Sequence, residues 1–218
     1  MTRLVLATRN AHKVSELQAI LSGAGLDVDL VALPDDAPEV VEDGLTFAAN
    51  ALKKARSAAE ATGLPAVADD SGLCVGALNG MPGVFSARWA GSHGDDAANL
   101  RLLLDQVADV ADAERGASFV CAAALVLPTG DERVVEGRLR GVLVREPRGR
   151  GGFGYDPVLL PDGCERTTAE MSAAEKNAIS HRGTAFRELA PVICDLVLRL
   201  HDGAEGGTRT PTPEGTGT

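Results

Sequence analysis

Aromatic residues are scarce in this chain and make up only 3% of its 218 residues. The buried core must therefore be built from Ala, Val and Leu, and a hydrophobic content of 44% suffices for one large α/β domain or two small lobes. Basic residues are also few, 21 against 31 acidic ones, so the formal charge is −10. A protein that binds a nucleic-acid polymer normally needs a basic face, so this class is disfavoured. A small phosphorylated ligand stays compatible with the charge, because it needs only a few well-placed Lys and Arg side chains.

Closely spaced cysteines and long apolar runs are also lacking. The four cysteines, Cys74, Cys121, Cys164 and Cys194, show no Cys-x-x-Cys spacing and indicate neither a zinc site nor a disulfide framework. No apolar run reaches the 18 residues of a membrane span, and the chain begins on a strand-like run rather than on a signal-peptide core. We therefore expect a reduced, cytoplasmic protein.

Hydrophobic periodicity predicts an alternation of strands and helices. Apolar runs predict strands at 4–7, 28–33, 66–68, 73–78, 118–127, 133–136 and 141–144. Helical spacing predicts a first helix that stops at Gly23 and further helices at 47–62, 95–107, 172–179 and 181–200, the last interrupted or bent near Pro191. Thr46 is expected to cap the second helix and Gly63 to close it. The domain is predicted to span residues 1–201, followed by a disordered tail at 202–218 that is rich in Gly, Thr and Pro.

Two adjacent carboxylates, Asp69 and Asp70, follow the short apolar run 66–68 and are interpreted as lying at a strand end before a Gly72 turn. Side chains alternate between the faces of a strand, so one carboxylate can bind a metal while the other meets solvent or a water nucleophile. Burying two like charges is costly unless a cation or hydrogen-bond donors compensate them. A solvated Asp-Asp turn is the alternative that the dipeptide alone leaves open.

Two segments nearer the N-terminus are candidates for phosphate binding. The first is the strand-to-helix loop Thr8–Lys13, where backbone N–H groups and a helix dipole can face an anion, although a polar turn with a helix cap is the alternative. It matches neither a P-loop nor a G-x-G-x-x-G loop. The second is the acidic segment 42–44, which precedes a helix that carries Asn50, Lys53 and Lys54 on a shared face. A carboxylate there can help to hold Mg²⁺ while a lysine steadies a phosphate; a capped helix with a solvated polar stripe is the alternative.

Two further segments are candidates for binding a planar base. The segment 151–157 places three glycines around Phe153, which lets the ring stand clear of its backbone, and it holds Asp156 extended before a proline. A plain turn is the alternative. Ser180 suits the N-cap of the last helix, which places His181 and Arg182 in its first turn. Cations are unfavourable there without an anionic or electron-rich partner, and a ligand carbonyl or phosphate would be one.

Four strings in this order resemble the inosine triphosphate pyrophosphatase family, the Ham1-like or RdgB-like dITP/XTP pyrophosphatases. The strings are Thr8-x-Asn10-x-x-Lys13, Ala68-Asp69-Asp70-Ser71-Gly72, Phe153-Gly154-Tyr155-Asp156-Pro157 and Ser180-His181-Arg182-Gly183, and the likeness covers about residues 3–200. The resemblance implies an α/β fold in which helices flank an elongated mixed central sheet, with two lobes and an active-site cleft between them, usually as a homodimer. It also implies a Mg²⁺-dependent hydrolase that cleaves ITP, dITP or XTP into the monophosphate and pyrophosphate, which cleanses the nucleotide pool.

The resemblance assigns roles residue by residue. Asp70 is the expected acceptor of the water's proton, and Glu42, Asp70 and the adjacent Asp69 are the expected metal ligands. The residues expected to bind the nucleotide are Thr8, Arg9, Asn10, Ala11, His12, Lys13, Lys53, Ser71, Phe153, Gly154, Tyr155, Asp156, Lys176, His181 and Arg182.

One position departs from the family pattern, because Ala49 stands where relatives commonly carry an acidic residue. Glu42 or Asp43 is then expected to supply the charge. Two other functions stay open: a Maf-like nucleotide pyrophosphatase of other specificity, which would lack the Phe153 and Ser180-His181-Arg182 strings, and a nucleotide-binding sensor, which would not need a water-activating carboxylate.

Overall fold

The computed structural model describes residues 2–8, 11–23, 25 and 28–205. The strands are β1 (Thr2–Leu6), β2 (Val28–Ala32), β3 (Ala66–Val75), β4 (Gly116–Val126), β5 (Glu132–Leu143) and β6 (Leu159–Pro161). The α-helices are α1 (Ala11–Gly23), α2 (Phe47–Thr62), α3 (Asp96–Gln106), α4 (Ala173–Ile179) and α5 (His181–Glu205). Short 3₁₀ turns lie at Gly76–Leu78, Gly83–Arg88, Asp112–Glu114 and Thr168–Glu170. None of the helices within these ranges is long and apolar enough to cross a membrane.

The six strands form one mixed sheet in the order β2-β1-β3-β4-β5-β6. β1 runs parallel to both β2 and β3, whereas β3, β4, β5 and β6 pair antiparallel. The strands β3, β4 and β5 have 10, 11 and 12 residues, which elongates the sheet in their direction. The predicted α/β class with an elongated, helix-flanked mixed sheet is confirmed, and the apolar run 118–127 is the core of the central strand β4, as expected.

Helices cover both faces of the sheet and bury it mainly with small and aliphatic side chains. On one face, alanines of α2 pack against alanines of β3 and β4, and Phe47 is the one aromatic residue of this buried cluster. On the other face, α1 and α5 pack Leu17, Leu21, Phe186 and Leu189 against β1, β3 and β4. A third cluster lies toward the far ends of the long strands and joins β3 and β4 to α3 and β6. The core thus rests on Ala, Val and Leu, as the scarcity of aromatic residues requires.

The helix α2 begins and ends where its capping residues predict. Thr46 is extended and its Oγ1 accepts a hydrogen bond from Ala49 N at 3.1 Å. Gly63 is left-handed, with φ of 67°, and its N–H donates to Ala59 O at 2.8 Å. Both contacts satisfy backbone groups that the helix itself leaves unpaired. These caps fix the helix that carries Asn50 and Lys54.

Three predictions about strands are wrong. The strand predicted at 73–78 does not stand alone, because 73–75 belong to β3 and Gly76–Leu78 form a 3₁₀ turn. Asp69 and Asp70 do not end a strand and Gly72 is not in a turn, because β3 continues through all three residues and pairs Gly72 with Val120 of β4. The glycine is needed for packing instead, since a Cβ there would overlap Ser86 Oγ and the Gly83 carbonyl oxygen of the adjacent 3₁₀ turn. Likewise, the strands predicted at 133–136 and 141–144 form one strand, β5, because the charged residues between them keep the register with β4 on an exposed face.

The C-terminal helix is longer than predicted. α5 is not interrupted at Pro191, which lies on its exposed side while Leu189, Ala190 and Ile193 anchor the helix in the core. It continues beyond residue 201, the predicted end of the domain, to Glu205. Residues 206–218 lie outside the described part of the chain, so the disordered tail stays a prediction for them.

Candidate active site

Two groups of polar side chains meet the sheet at the middle of β3, one on each face. Asp69 lies on the face covered by α5, as Val67 does. Asp70 lies on the face covered by α2, as Ala68 does. This follows from the alternation of side chains along a strand. The structure therefore separates the two carboxylates and gives each its own partners.

Asp70 is the centre of a compact cluster with Glu42, Asn50 and Lys54, here called the Glu42–Asp70 cluster. Asn50 Nδ2 donates to Asp70 Oδ2 at 3.0 Å. Lys54 Nζ lies 2.7 Å from Glu42 Oε1 and 3.7 Å from Asp70 Oδ1. Two carboxylates from distant segments thus converge on one cation, and the structure brings Glu42 and Asp70, two of the predicted metal ligands, close together.

Asn50 and Arg88 hold the acidic loop that carries Glu42. Asn50 is 1% exposed and its Oδ1 accepts a hydrogen bond from Gly44 N at 2.8 Å, so its amide joins the loop to Asp70. A Cβ at Gly44 would stand within 2.5 Å of Asn50 Oδ1, which explains the glycine. Arg88 Nη2 donates to the Glu42 carbonyl oxygen at 3.2 Å. The buried asparagine therefore fixes the carboxylate and the loop relative to each other.

The pKa values of Asp70 and Lys54 are both raised, but for different reasons. Burial raises the pKa of Asp70 above its usual value, and the Lys54 charge and the Asn50 hydrogen bond only partly oppose it. Burial acts to lower the pKa of Lys54, but the charges of Asp70 and Glu42 outweigh it and the pKa lies above its ordinary value. A carboxylate with a raised pKa is a better proton acceptor than an exposed one, and the lysine keeps its positive charge.

The structure places Lys54 rather than Lys53 in the cluster. Lys53 lies on the outer side of α2, where its Nζ pairs with Asp43 Oδ1 at 2.6 Å, and the two side chains are 43% and 68% exposed. Successive helical residues differ by about 100° around the helix axis, so only one of two adjacent lysines can face Asp70. The structure therefore favours Lys54 over Lys53 as the lysine beside Asp70, and the predicted ligand role of Lys53 stays a prediction. Asp43 is not part of the cluster.

Lys54 and Thr8 line a cavity of about 160 Å³, here called the Thr8 cavity. Thr8 follows β1, and its carbonyl oxygen accepts from Leu33 N at 3.1 Å. Of the predicted phosphate loop, Ala11, His12 and Lys13 form the first turn of α1 in the described backbone, while Arg9 and Asn10 lie outside the described residues. The predicted roles of these five residues stay predictions.

A more apolar cavity of about 150 Å³, here called the aromatic cavity, lies on the other side of Asp70 along β3. Eight predicted nucleotide-binding residues line it: Ser71, Phe153, Gly154, Tyr155, Asp156, Lys176, His181 and Arg182. Segments separated by more than 100 residues thus meet in one pocket. Phe119, Ser86 and Asp96 line it too. No sequence pattern predicts them, because an apolar strand residue, a serine in a turn and an acidic residue at a helix start carry no distinctive signal.

Asp156 organises one wall of the aromatic cavity. Its carboxylate is occupied by partners within the protein, whereas the sequence predicts that it contacts a ligand. Its side chain is 3% exposed, its Oδ2 lies 2.5 Å from Lys176 Nζ and accepts from Phe153 N at 2.8 Å, and its Oδ1 accepts from Thr168 Oγ1 at 2.9 Å. Lys176 Nζ lies 5.0 Å from the centroid of the Phe153 ring, and that residue is 63% exposed. Asp156 therefore positions a cation and an exposed ring at the cavity mouth.

Tyr155 and the neighbouring glycine tie this loop to the rest of the site. The Tyr155 hydroxyl donates to Ser86 O at 2.9 Å, and burial raises the pKa of that hydroxyl far above its usual value. Gly154 N donates to Asp96 Oδ2 at 2.7 Å, which links the loop to the first turn of α3. Tyr155 is thus a structural support of the cavity wall, with its polar atom already bound.

His181 and Arg182 form the opposite wall. Ser180 caps α5, because its Oγ accepts from Gly183 N at 2.9 Å, as predicted. The His181 ring stacks on Phe119 with centroids 5.0 Å apart, and burial, helped by the charge of Arg182, lowers the pKa of His181 to about 3. The imidazole is therefore neutral near pH 7, and its buried Nδ1 has no hydrogen-bond partner among the described residues. A Cβ at Gly137 would overlap the His181 carbonyl oxygen, so this glycine permits the close approach of α5 to β5.

The donor set at Asp70 fits Mg²⁺ but is small. No group of three or more His, Cys, Asp or Glu side chains that could hold a metal ion occurs among the residues the structure describes. Mg²⁺ is commonly bound by one or two carboxylates, with water and substrate phosphates completing its ligands. Glu42 and Asp70 already converge on one cation, so they suit that role, whereas Asp69 is held on the other face by Arg182.

The comparisons with known proteins identify relatives over most of the chain. Residues 4–192 match the model of the Ham1 family. A dITP/XTP pyrophosphatase of Streptomyces coelicolor is 67% identical over 200 residues, which cover 90% of this chain and all of that protein. A dITP/XTP pyrophosphatase of Mycobacterium tuberculosis is 56% identical over 199 residues, 90% of this chain and 97% of that protein.

Solved structures show the same fold. The structure of a HAM1 protein from Coxiella burnetii is 42% identical, with a TM-score of 0.83 over 89% of this chain and all of that one. The Ham1 protein of Staphylococcus aureus is 34% identical, with a TM-score of 0.80 over 88% of this chain and 98% of that one. The family match spans both cavities and the residues around Asp70, and the chain therefore belongs to the Ham1 family.

Proposed function

We propose that this protein hydrolyses the non-canonical purine nucleoside triphosphates ITP, dITP and XTP to the monophosphate and pyrophosphate. The observation that carries the proposal is the position of Asp70. Its strand neighbour Ser71 lines the aromatic cavity, and its ion-pair partner Lys54 lines the Thr8 cavity. A base in the aromatic cavity and phosphates near the Thr8 cavity would bring the bonds between the phosphates to the partly buried carboxylate of Asp70. The names of relatives that are 55–67% identical, all dITP/XTP pyrophosphatases, support the same reaction.

The hydrolytic step follows from the partners of Asp70. The carboxylate accepts a proton from water as the water oxygen bonds to phosphorus, the P–O bond of the α–β bridge breaks, and pyrophosphate leaves with the bonding electrons. The hydrogen bond from Asn50 Nδ2 to Asp70 Oδ2 holds the carboxylate in place for this proton transfer. The Lys54 ammonium stabilises the negative charge that develops on the departing pyrophosphate.

Mg²⁺ is the proposed cofactor, and Glu42 and Asp70 are the residues that would hold it. When bound, it would neutralise phosphate charge and lower the pKa of a coordinated water. Lys54 bridges the two carboxylates and prevents their mutual repulsion. Asp69 is left out of this proposal because its partner is Arg182.

Base selection is attributed to the wall formed by His181 and Arg182. The guanidinium is a hydrogen-bond donor only, and it suits the 6-oxo group of hypoxanthine or xanthine while it meets a second donor in the 6-amino group of adenine. A buried donor left unpaired costs about 1–3 kcal/mol, so a few such mismatches give a large preference. His181 adds a neutral imidazole whose Nδ1 is open to a ligand partner.

The reaction products test this proposal. With ITP and Mg²⁺ we expect equal amounts of inosine monophosphate and pyrophosphate, measured by ion-exchange chromatography. Release of orthophosphate would contradict cleavage at the α–β bridge, and binding without turnover would identify a nucleotide sensor. Asp70→Asn should abolish turnover with the fold retained. Asp43→Asn is the matched control, because this carboxylate belongs to the same region but pairs with exposed Lys53, and it should keep activity within about twofold.

A homodimer and a cytoplasmic location complete the proposal. Both follow from the family resemblance and the sequence rather than from a contact in the structure. Sedimentation equilibrium is the direct test of assembly, and a mass twice that of the 22.5 kDa chain is the expected result.

A further inference from the structure

Asp69 of β3 forms a buried ion pair with Arg182 of α5, and the hydrolytic step does not use this pair. Its Oδ2 accepts hydrogen bonds from Arg182 Nη2 at 2.9 Å and from Arg182 Nε at 3.1 Å. The two side chains are 7% and 8% exposed, although 113 residues separate them in the chain. The pair therefore joins the middle of β3 to the first turn of α5.

The location of Arg182 makes this partner necessary. The first turn of a helix carries partial positive charge, so a buried cation there is destabilised by the helix dipole as well as by the loss of water. Asp69 supplies the opposite charge from the adjacent strand. A negative charge anywhere nearby would be enough to compensate the buried cation. The two hydrogen bonds to Asp69 in addition fix the orientation of the Arg182 guanidinium.

That direction matters because Arg182 lines the aromatic cavity. The guanidinium is planar and its N–H groups form a rigid fork, so the binding of Nε and Nη2 to one carboxylate oxygen sets the orientation of the whole group. The neighbouring His181 is fixed separately, by its stacking on Phe119. Of the two residues proposed to read the base, Arg182 thus depends on Asp69 for its orientation.

We infer that Asp69 is a positioning residue that determines selectivity for the purine base. It holds the Arg182 guanidinium in the direction in which its donors favour a 6-oxo purine and oppose a 6-amino purine. Asp70, the next residue, faces the other side of the sheet. The two adjacent carboxylates therefore have separate roles: Asp69 orients the arginine that contacts the base, and Asp70 acts at the phosphates. This inference rests on the proposed function and deepens it.

The inference predicts a change in selectivity without a change in the chemical step. In Asp69→Asn the volume is kept and the counter-charge of Arg182 is lost, so the guanidinium is less firmly oriented. We expect KM for ITP to rise about tenfold and the ratio of kcat/KM for ITP to that for ATP to fall at least tenfold, because a misaligned charged hydrogen bond is worth this much. The kcat for ITP should stay within about threefold, since the Glu42–Asp70 cluster lies on the opposite face.

Asp69→Glu serves as the second variant in case Asp69→Asn does not fold. It keeps the counter-charge but adds one methylene, which displaces the guanidinium, and we expect a folded protein with a selectivity ratio lowered about threefold or more.

Arg115→Lys is the matched control for general destabilisation. Arg115 is a comparably buried arginine, 3% exposed, that donates to the carbonyl oxygens of Val107, Leu143 and Val144 and lines neither cavity. It should lower the melting temperature and leave the selectivity ratio unchanged.

The outcomes separate the inference from the proposed function. If the wild-type protein releases no pyrophosphate from any nucleotide, the proposed function fails and the inference with it. If the wild type prefers ITP and both Asp69 variants keep its selectivity ratio, only the inference is overturned. A fall in kcat with an unchanged KM in Asp69→Asn would also overturn it, because that result would place Asp69 in the chemical step.

Discussion

Lys53 and Lys54 are sequence neighbours on α2 with different surroundings, and they test the site at the scale of single residues. Lys54 bridges Glu42 and Asp70 and lines the Thr8 cavity, whereas Lys53 pairs with Asp43 in solvent. In Lys54→Met we expect kcat/KM for ITP to fall by about 10²–10³, because a charge that stabilises the departing pyrophosphate is lost. Lys53→Met, the matched control, should stay within about threefold. Steady-state pyrophosphate release measures both, and equal losses would contradict the assignment of Lys54.

His181 gives a prediction on the pH dependence of stability. Its pKa is lowered to about 3 by burial and the nearby Arg182, whereas in the unfolded chain it titrates near 6.5. Between these values the unfolded chain binds a proton that the native protein does not, so stability falls as the pH drops below 6.5 and this loss ends near pH 3. The contribution amounts to about 2 kcal/mol between pH 7 and pH 5.

Urea unfolding at pH 7 and pH 5 measures this contribution. In His181→Gln the destabilisation on acidification should be smaller by about that amount, while His93→Gln, which removes an exposed imidazole, should behave like the wild type. The same pH dependence in all three proteins would show that His181 is not held neutral.

The sequence predicts the residue types of the site better than their partners. Alternation along a strand already implies that Asp69 and Asp70 face opposite sides, and the family resemblance names eight residues that lie together in the aromatic cavity. The helical spacing did not distinguish Lys53 from Lys54, because both lie three or four residues from Asn50. The ion pair of Asp69 with Arg182 depends on a contact across 113 residues, which no local pattern encodes.

At the scale of secondary-structure elements, β3 shows how a strand gains length from tertiary contacts. Locally, the sequence Asp69–Gly72 is typical of a turn, yet continuous pairing with β4 and the approach of the 3₁₀ turn at Gly83–Arg88 keep it extended. Ser86 Oγ donates to Gly83 O at 2.7 Å and accepts from Leu73 N at 2.9 Å. By contrast, α2 was predicted to the residue, because Thr46 and Gly63 are local capping signals.

The packing at Gly72 predicts a large difference between two glycine substitutions. Gly72→Ala should destabilise the protein by about 1–3 kcal/mol, because the added methyl overlaps Ser86 Oγ and the Gly83 carbonyl oxygen. Gly116→Ala, on the neighbouring strand β4, should change stability by less than about 1 kcal/mol, because a Cβ there meets no atom within 4 Å. Chemical denaturation of the two variants checks this, and equal costs would contradict the packing of the 3₁₀ turn on β3.

At the scale of the whole molecule, the fold brings a carboxylate and two cavities together from segments spread over most of the chain. Residue 8 contributes to one cavity and residues 180–182 to the other, while β3 carries the carboxylates in the middle. The mixed sheet and its helical cover were predictable from the alternation of strands and helices together with the family resemblance. The cavities were not, since their shape depends on how α5 approaches β5 over Gly137 and on Phe119, an apolar strand residue.

The central claim is that this arrangement selects a 6-oxo purine triphosphate and releases pyrophosphate from it. The most direct test is the ratio of kcat/KM for ITP and XTP to that for ATP, measured by pyrophosphate release with Mg²⁺ at neutral pH. We expect the two 6-oxo nucleotides to be hydrolysed at least 100-fold more efficiently than ATP, about the preference that two unpaired buried donors would produce. Equal efficiencies for the three nucleotides would contradict the claim.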